Sequence, residues 1–203
     1  MIRDSLGISK STLSNWLTLI PYKPNKDVFE RVGKAKLKSA FSKQRTKFKM
    51  LRDVKVEARK EITKLSKRDL FFFGLGIYLG EGGKSFENVL IVNADPKVIQ
   101  LSIRWLKEIG GAKMTNFKPY LHLYPDNNVD DALEYWSHIT RIPIAQFGKT
   151  TIDTRKNKLA IKKSKLPHGT LHLHLKSNGV PFLGVRLHRK IMAWIERALS
   201  YVT

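Results

Sequence analysis

The sequence contains no cysteine, which excludes a disulfide scaffold and any zinc or iron–sulfur site built on thiolates. Long apolar runs are absent too. The longest, residues 70–79, covers ten positions with two glycines among them, against about 20 needed to span a bilayer. The chain opens Met1-Ile2-Arg3-Asp4-Ser5, a mixed-charge start without the apolar stretch of a secretory signal. It carries no Ser–His–Asp order, phosphate-cradling glycine loop, kinase signature, internal repeat or low-complexity tract. A soluble, cytoplasmic protein with no membrane partner is the expectation. Acidic residues are scarce: 17 Asp and Glu stand against 38 Lys and Arg, a formal net charge of +21 over 203 residues.

With 42% hydrophobic and 10% aromatic residues, the chain can bury a core. The charge surplus stabilises nothing by itself, because the folded chain repels itself. It points to a polyanionic partner: a basic surface meeting DNA or RNA releases condensed counterions and gains affinity whatever the base sequence. Residues 1–68 hold 19 basic and 6 acidic side chains (+13), and residues 69–203 hold 19 and 11 (+8). The smaller N-terminal third is the more strongly charged.

Three stretches separate by pattern. Residues 2–20 read as two short helices around a turn at Gly7, ended by Pro21 and Pro24. In residues 27–66 Lys and Arg recur every few positions while Leu37, Phe41, Phe48 and Leu51 fall at helical intervals, which predicts one or two long basic amphipathic helices. An α+β region follows. Asp69 is the expected cap of a buried helix over 70–80, and residues 89–93 form a β-branched strand. Asp95 and Pro96 open a helix to about residue 108 as cap and first helical position. Residues 120–124, 150–154 and 170–176 alternate as strands, with helices over 129–139 and 183–201. Trp105, Trp136 and Trp194 lie on amphipathic helices and are expected in the core.

Within residues 6–17, Leu6, Ile8, Leu13 and Trp16 are spaced to pack one helix across another. Gly7 permits the positive φ of a sharp turn, and Ser9 caps the second helix. Lys10, Ser11, Thr12, Ser14 and Asn15 then occupy its outer, N-terminal face, where short polar side chains suit base edges and phosphates in a major groove. The segment resembles the helix-turn-helix of bacterial and archaeal regulators. Arg3 stands where that module usually has a small residue, and the helix that precedes the pair has no counterpart before Ile2. The expectation is that the true start lies upstream or that the basic helix covers the gap.

The second motif is Phe73-Gly74-Leu75-Gly76-Ile77-Tyr78-Leu79-Gly80-Glu81-Gly82. Glycine inside a helix costs about 1 kcal/mol relative to alanine, so Gly74, Gly76 and Gly80 call for a very close neighbour. Gly76 and Gly80 set two bare backbone patches on one face. With no second copy of the pattern, the crossing helix belongs to another subunit, and Gly76, Gly80, Leu75 and Leu79 are the expected homodimer interface. Glu81 falls at the helix C-terminus, where the carbonyls are already partly negative. Two such ends side by side favour a hard divalent cation such as Mg²⁺, as metal-assisted phosphodiester cleavage requires.

This segment resembles the LAGLIDADG motif of homing endonucleases. Gly76 falls on the first glycine, Gly80 on the small residue, Glu81 on the terminal acid and Gly82 on the closing glycine, while Leu79 replaces the first aspartate. Asn93-Ala94-Asp95-Pro96-Lys97-Val98-Ile99 and Trp194-Ile195 extend the similarity over residues 69–201. The resemblance implies a sheet saddle lying on DNA with helices covering its back. In the nuclease members it implies Glu81 as catalytic acid and Mg²⁺ ligand. A class of regulators joins such a domain to a helix-turn-helix and does not cut DNA.

The strand patterns fit that surface independently. Leu171, Leu173 and Leu175 oppose His172, His174 and Lys176, and Leu121 and Leu123 oppose Tyr120, His122 and Tyr124. A face of His, Tyr and Lys suits DNA; a metal at His172 and His174 is the alternative. Arg155, Lys156, Lys158, Lys162, Lys163 and Lys165 form a basic loop suited to phosphates. The expected fold class is α+β, a LAGLIDADG-like domain with helices on one face of an antiparallel β-saddle (residues 69–203). An all-α helix-turn-helix (1–24) and a basic linker helix (25–68) precede it. The expected function is sequence-specific double-stranded DNA binding, transcription-regulator-like, as a homodimer. The alternatives are a Mg²⁺-dependent homing-type endonuclease and an RNA-binding or splicing-assistance protein.

Overall fold

The computed structural model describes residues 7–18, 20, 21, 23, 25–155 and 166–202. The chain divides into two compact units, residues 1–64 and 65–203. Among the described residues there are seven α-helices and one four-stranded sheet, an α+β arrangement.

The first unit contains α1 (Lys10–Trp16), α2 (Lys26–Val32) and α3 (Lys34–Glu61). Gly7 adopts φ 61°, in the left-handed region. Ser9 caps α1 as its sequence position predicts, Oγ accepting from the Thr12 amide at 3.1 Å. The helix expected before Gly7 lies outside the described residues. Trp16 is 62% exposed, and no residue of α1 is buried. The basic stretch forms two helices because Gly33, at φ 79°, interrupts it. Along α3 only Leu37 is buried, with Phe41, Gln44 and Phe48 half-buried beside it.

The second unit contains α4 (Lys67–Glu81), β1 (Leu90–Asn93), α5 (Pro96–Glu108), β2 (Phe117–Leu123), α6 (Val129–Thr140), β3 (Thr151–Ile152), β4 (Thr170–Leu175) and α7 (Val185–Leu199). α4 starts earlier than expected. Ser66 is its cap, accepting from the Asp69 amide at 3.1 Å, while the Asp69 carboxylate accepts from the Ser66 amide at 2.8 Å. This reciprocal pair satisfies two otherwise unpaired amides, so Asp69 is the third helical residue rather than the cap. Asp95 caps α5 as expected, its Oδ1 2.7 Å from the Lys97 amide.

The strand order is β1-β4-β2-β3. β4 pairs antiparallel with β1 and β2, but β3 runs parallel to β2. The wholly antiparallel saddle is therefore corrected to a mixed sheet. The chain leaves β2, passes through α6 and returns beside it, and such a crossover brings the next strand back in the same direction. One sheet face is dry: Ile91, Phe117, Leu121, Leu123, Leu171, Leu173 and Leu175 pack into a core completed by Leu70 and Tyr78 of α4, Trp105 of α5, Trp136 of α6 and Ile191 of α7. Trp194 is half-buried against Phe71, with ring centroids 5.0 Å apart. Gly74 earns its place in this core, since a methyl there would overlap the Trp105 ring. Among the described residues no helix is long and apolar enough to cross a membrane.

Candidate nucleic-acid interface

Strand residues alternate between faces, so the buried leucines dictate what the other face shows. β2 sets Lys118 opposite His174, Tyr120 opposite His172 and His122 opposite Thr170. All six are half-buried. Tyr120 meets His174 edge-on with centroids 5.0 Å apart, and His122 stacks on His172 at 5.7 Å. Gly148 makes room for this face: a methyl on it would overlap the Tyr120 ring, and its amide donates to the Pro119 carbonyl at 2.8 Å. Lys176 is exposed just beyond β4. Tyr124 keeps to this face, its ring edge-on to His122 with centroids 5.9 Å apart. It lies past the end of β2 and is buried.

Beside this face Asp153 is held with its side chain only 3% exposed. Its amide donates to the Leu123 carbonyl at 2.8 Å. Arg155 grips the carboxylate, with Nε donating to Oδ1 at 2.8 Å and the second guanidinium nitrogen to Oδ2. His122 Nε2 lies 3.4 Å from Oδ2. The Arg155 guanidinium holds the Asp153 carboxyl well below the usual carboxylate range, against the opposing effect of burial. Burial pushes His172 and His174 below the ordinary imidazole value; His122 adds to the effect on His172, and Lys176 and His172 add to it on His174. Both rings are therefore neutral at pH 7, each carrying one donor and one acceptor. That mixed pattern matches base edges as well as phosphates.

In the basic loop Arg155 gives Nε and one terminal nitrogen to Asp153 while its side chain stays 60% exposed. Lys156, Lys158, Lys162, Lys163 and Lys165 lie outside the described residues. Asp153 itself was missed: no acidic residue is near His172 or His174 in sequence, and the parallel pairing of β3 with β2 delivers it to His122. Among the described residues no group of three or more His, Asp or Glu is arranged to hold a metal ion.

On α4, Gly76 and Gly80 are exposed, and a methyl on either would meet nothing within 4 Å. Phe72, Phe73 and Leu79 flank them at 47%, 52% and 42% exposure, an uncovered apolar face. Leu75 drops out of the expected interface. It sits about 100° around the helix from Gly76 and is buried in the chain's own core. No family model, curated protein or solved structure matches this chain.

Glu81 is exposed at the end of α4. The neighbouring Lys84 ammonium donates to the Leu79 carbonyl, and the Tyr78 carbonyl accepts from the Gly82 amide at 2.9 Å. Beneath this end, the buried Tyr78 hydroxyl lies 2.9 Å from His188 Nδ1 and 3.1 Å from the Gly83 carbonyl, and burial pushes its pKa up to about 12. A methyl on Gly82 would run into the Tyr78 carbonyl, so the turn after Glu81 is tightly fitted. In the first unit, Lys10, Ser11, Ser14 and Asn15 are exposed on α1, while the Thr12 hydroxyl sits 2.8 Å from Ser9 Oγ.

Proposed function

We propose that this chain is a sequence-specific duplex-DNA-binding protein of LAGLIDADG-like architecture that works as a homodimer. The single observation that carries the reading is the second face of the sheet. It lines up Lys118, Tyr120, His122, His172 and His174 in register, backed by a dry core and set in a chain of net charge +21. A mostly neutral donor–acceptor surface within a positive field suits a ligand whose backbone is anionic and whose grooves carry information. The open face of Gly76 and Gly80 supports pairing of two copies, because small residues let helix backbones approach closely. Lys10, Ser11, Ser14 and Asn15 of α1 supply a second reading surface in the manner of a helix-turn-helix.

A second reading, Mg²⁺-dependent cleavage, is favoured by the position of Glu81 beside Gly80, where pairing across the open face would bring two carboxylates together. Each chain offers one carboxylate there, so the residues fit Mg²⁺ only across a dimer, with water completing the oxygen shell. Lys84 weighs against it by putting a cation on that helix end. Selection from random duplex DNA in Mg²⁺, with product ends sequenced, tests both readings. Binding without cutting should enrich a motif and leave ends intact; recovery of unenriched sequence overturns the proposal. Cut ends that vanish in Glu81→Gln, with affinity retained, would establish the nuclease. Stronger competition by structured RNA than by duplex DNA would move the function to RNA.

A further inference from the structure

α3 carries a feature that neither the sheet nor α1 accounts for. At 3.6 residues per turn, Lys34, Lys38, Arg45, Lys49, Arg52 and Arg59 fall within an arc of about 80°, all exposed. The stripe is about 38 Å long at 1.5 Å per residue. The helix's acids, Asp53, Glu57 and Glu61, lie off it, about 80–160° around from Arg45. Among the described residues only Arg52 of the stripe reaches a carboxylate, its Nε 3.6 Å from Asp53. Among the described residues Arg45, Lys49 and Arg59 have no acidic partner.

This arrangement is unfavourable for the helix alone. Like charges three and four apart, as in Arg45, Lys49 and Arg52, destabilise an isolated helix. The half beyond Phe48 is also poorly supported, with Met50, Val54 and Val56 62%, 54% and 45% exposed. A second copy of α3 is a poor occupant. Pairing along the seam of Leu37, Phe41 and Phe48 would place Lys38, Arg45 and Arg52 at the flanking positions, where coiled coils need opposite charges. A polyanion removes the repulsion, and duplex DNA offers one charge per about 1.7 Å of its length.

We propose that this stripe of α3 is a phosphate-contacting surface laid along the backbone of duplex DNA, so that the segment between α1 and the sheet domain is itself a binding element. The inference rests on the duplex-binding reading above. Phosphate contacts of this kind add affinity and register without base preference.

The test compares two charge-matched variants of the full chain. One is Arg45→Gln with Lys49→Gln and Arg52→Gln on the stripe; the other is Lys36→Gln with Lys43→Gln and Lys47→Gln on the opposite side of α3. Gln keeps the helix propensity. Binding is read on a labelled 30-base-pair random duplex across a NaCl series. The stripe variant should flatten the slope of log affinity against log salt by about 2.7, at 0.9 per phosphate contact, and lose affinity equally on every duplex. The opposite-face variant should change the slope by less than about 1. Far-UV circular dichroism should show free stripe variant at least as helical as wild type. A steep wild-type slope left unchanged in the stripe variant overturns this inference alone, as do equal losses in both variants. Lost self-association at unchanged slope would make the stripe a seam between copies, which also overturns it. A flat wild-type slope overturns the duplex-binding reading as well.

Discussion

Two glycines on one helix should respond to the same substitution with opposite signs. A methyl on Gly74 would overlap several atoms of the Trp105 ring, which is 1% exposed and has nowhere to move. Over-packing of this severity costs about 3 kcal/mol, and the helix-propensity gain of alanine offsets about 1 kcal/mol. Gly74→Ala should therefore lose about 2 kcal/mol, a net of those two effects. Gly76→Ala meets open space, so only the propensity gain applies: about 1 kcal/mol more stable, or about 3 °C in Tm. Yet the same methyl holds a crossing helix away. If two copies pair on this face, Gly76→Ala should raise the dimer dissociation constant about tenfold, equivalent to about 1.4 kcal/mol. Urea unfolding at a concentration where the chain is monomeric, beside sedimentation equilibrium, separates the two effects. A neutral Gly74→Ala, or a Gly76→Ala that destabilises the monomer, would refute the packing argument. Undiminished self-association would refute the pairing.

Three further outcomes follow from particular contacts. Tyr78→Phe leaves His188 Nδ1 and the Gly83 carbonyl short of a buried partner and should cost about 1–3 kcal/mol, measured by urea unfolding. Gly148→Ala should displace the Tyr120 ring and weaken duplex binding more than it lowers Tm, read by fluorescence anisotropy and a thermal melt. Asp153 has a depressed pKa in the folded state, so its stabilising effect is present above the ordinary carboxylate value of 3.8 and is lost as pH falls below it. Arg155→Gln should therefore lower stability at pH 7 and make its decline below about pH 4 shallower, as seen in acid titrations followed by circular dichroism.

Local signals carried through to the structure, and non-local ones did not. Ser9, Asp95 and Pro96 act within one helical turn, so their positions alone gave away two helix starts. The alternation of Leu171, His172, Leu173 and His174 assigned both faces of β4 because the period of two leaves no other choice. Asp69 mimics a cap because a capping box has two polar residues, and it is the one nearer the apolar run. The direction of β3, the grip of Arg155 on Asp153 and the room Gly148 leaves for Tyr120 all join segments far apart in the chain or packed through space. Leu75 is adjacent to Gly76 in sequence but faces the core, whereas Phe72 and Phe73 share the helix face with Gly76.

The most direct test of the central claim is the salt dependence of duplex binding, with stoichiometry measured on the same complexes by sedimentation. Two chains per duplex, each neutralising at least three phosphates, give a slope of log affinity against log salt of about −5 or steeper. A flat slope, or one chain saturating the duplex without self-association, would contradict the account.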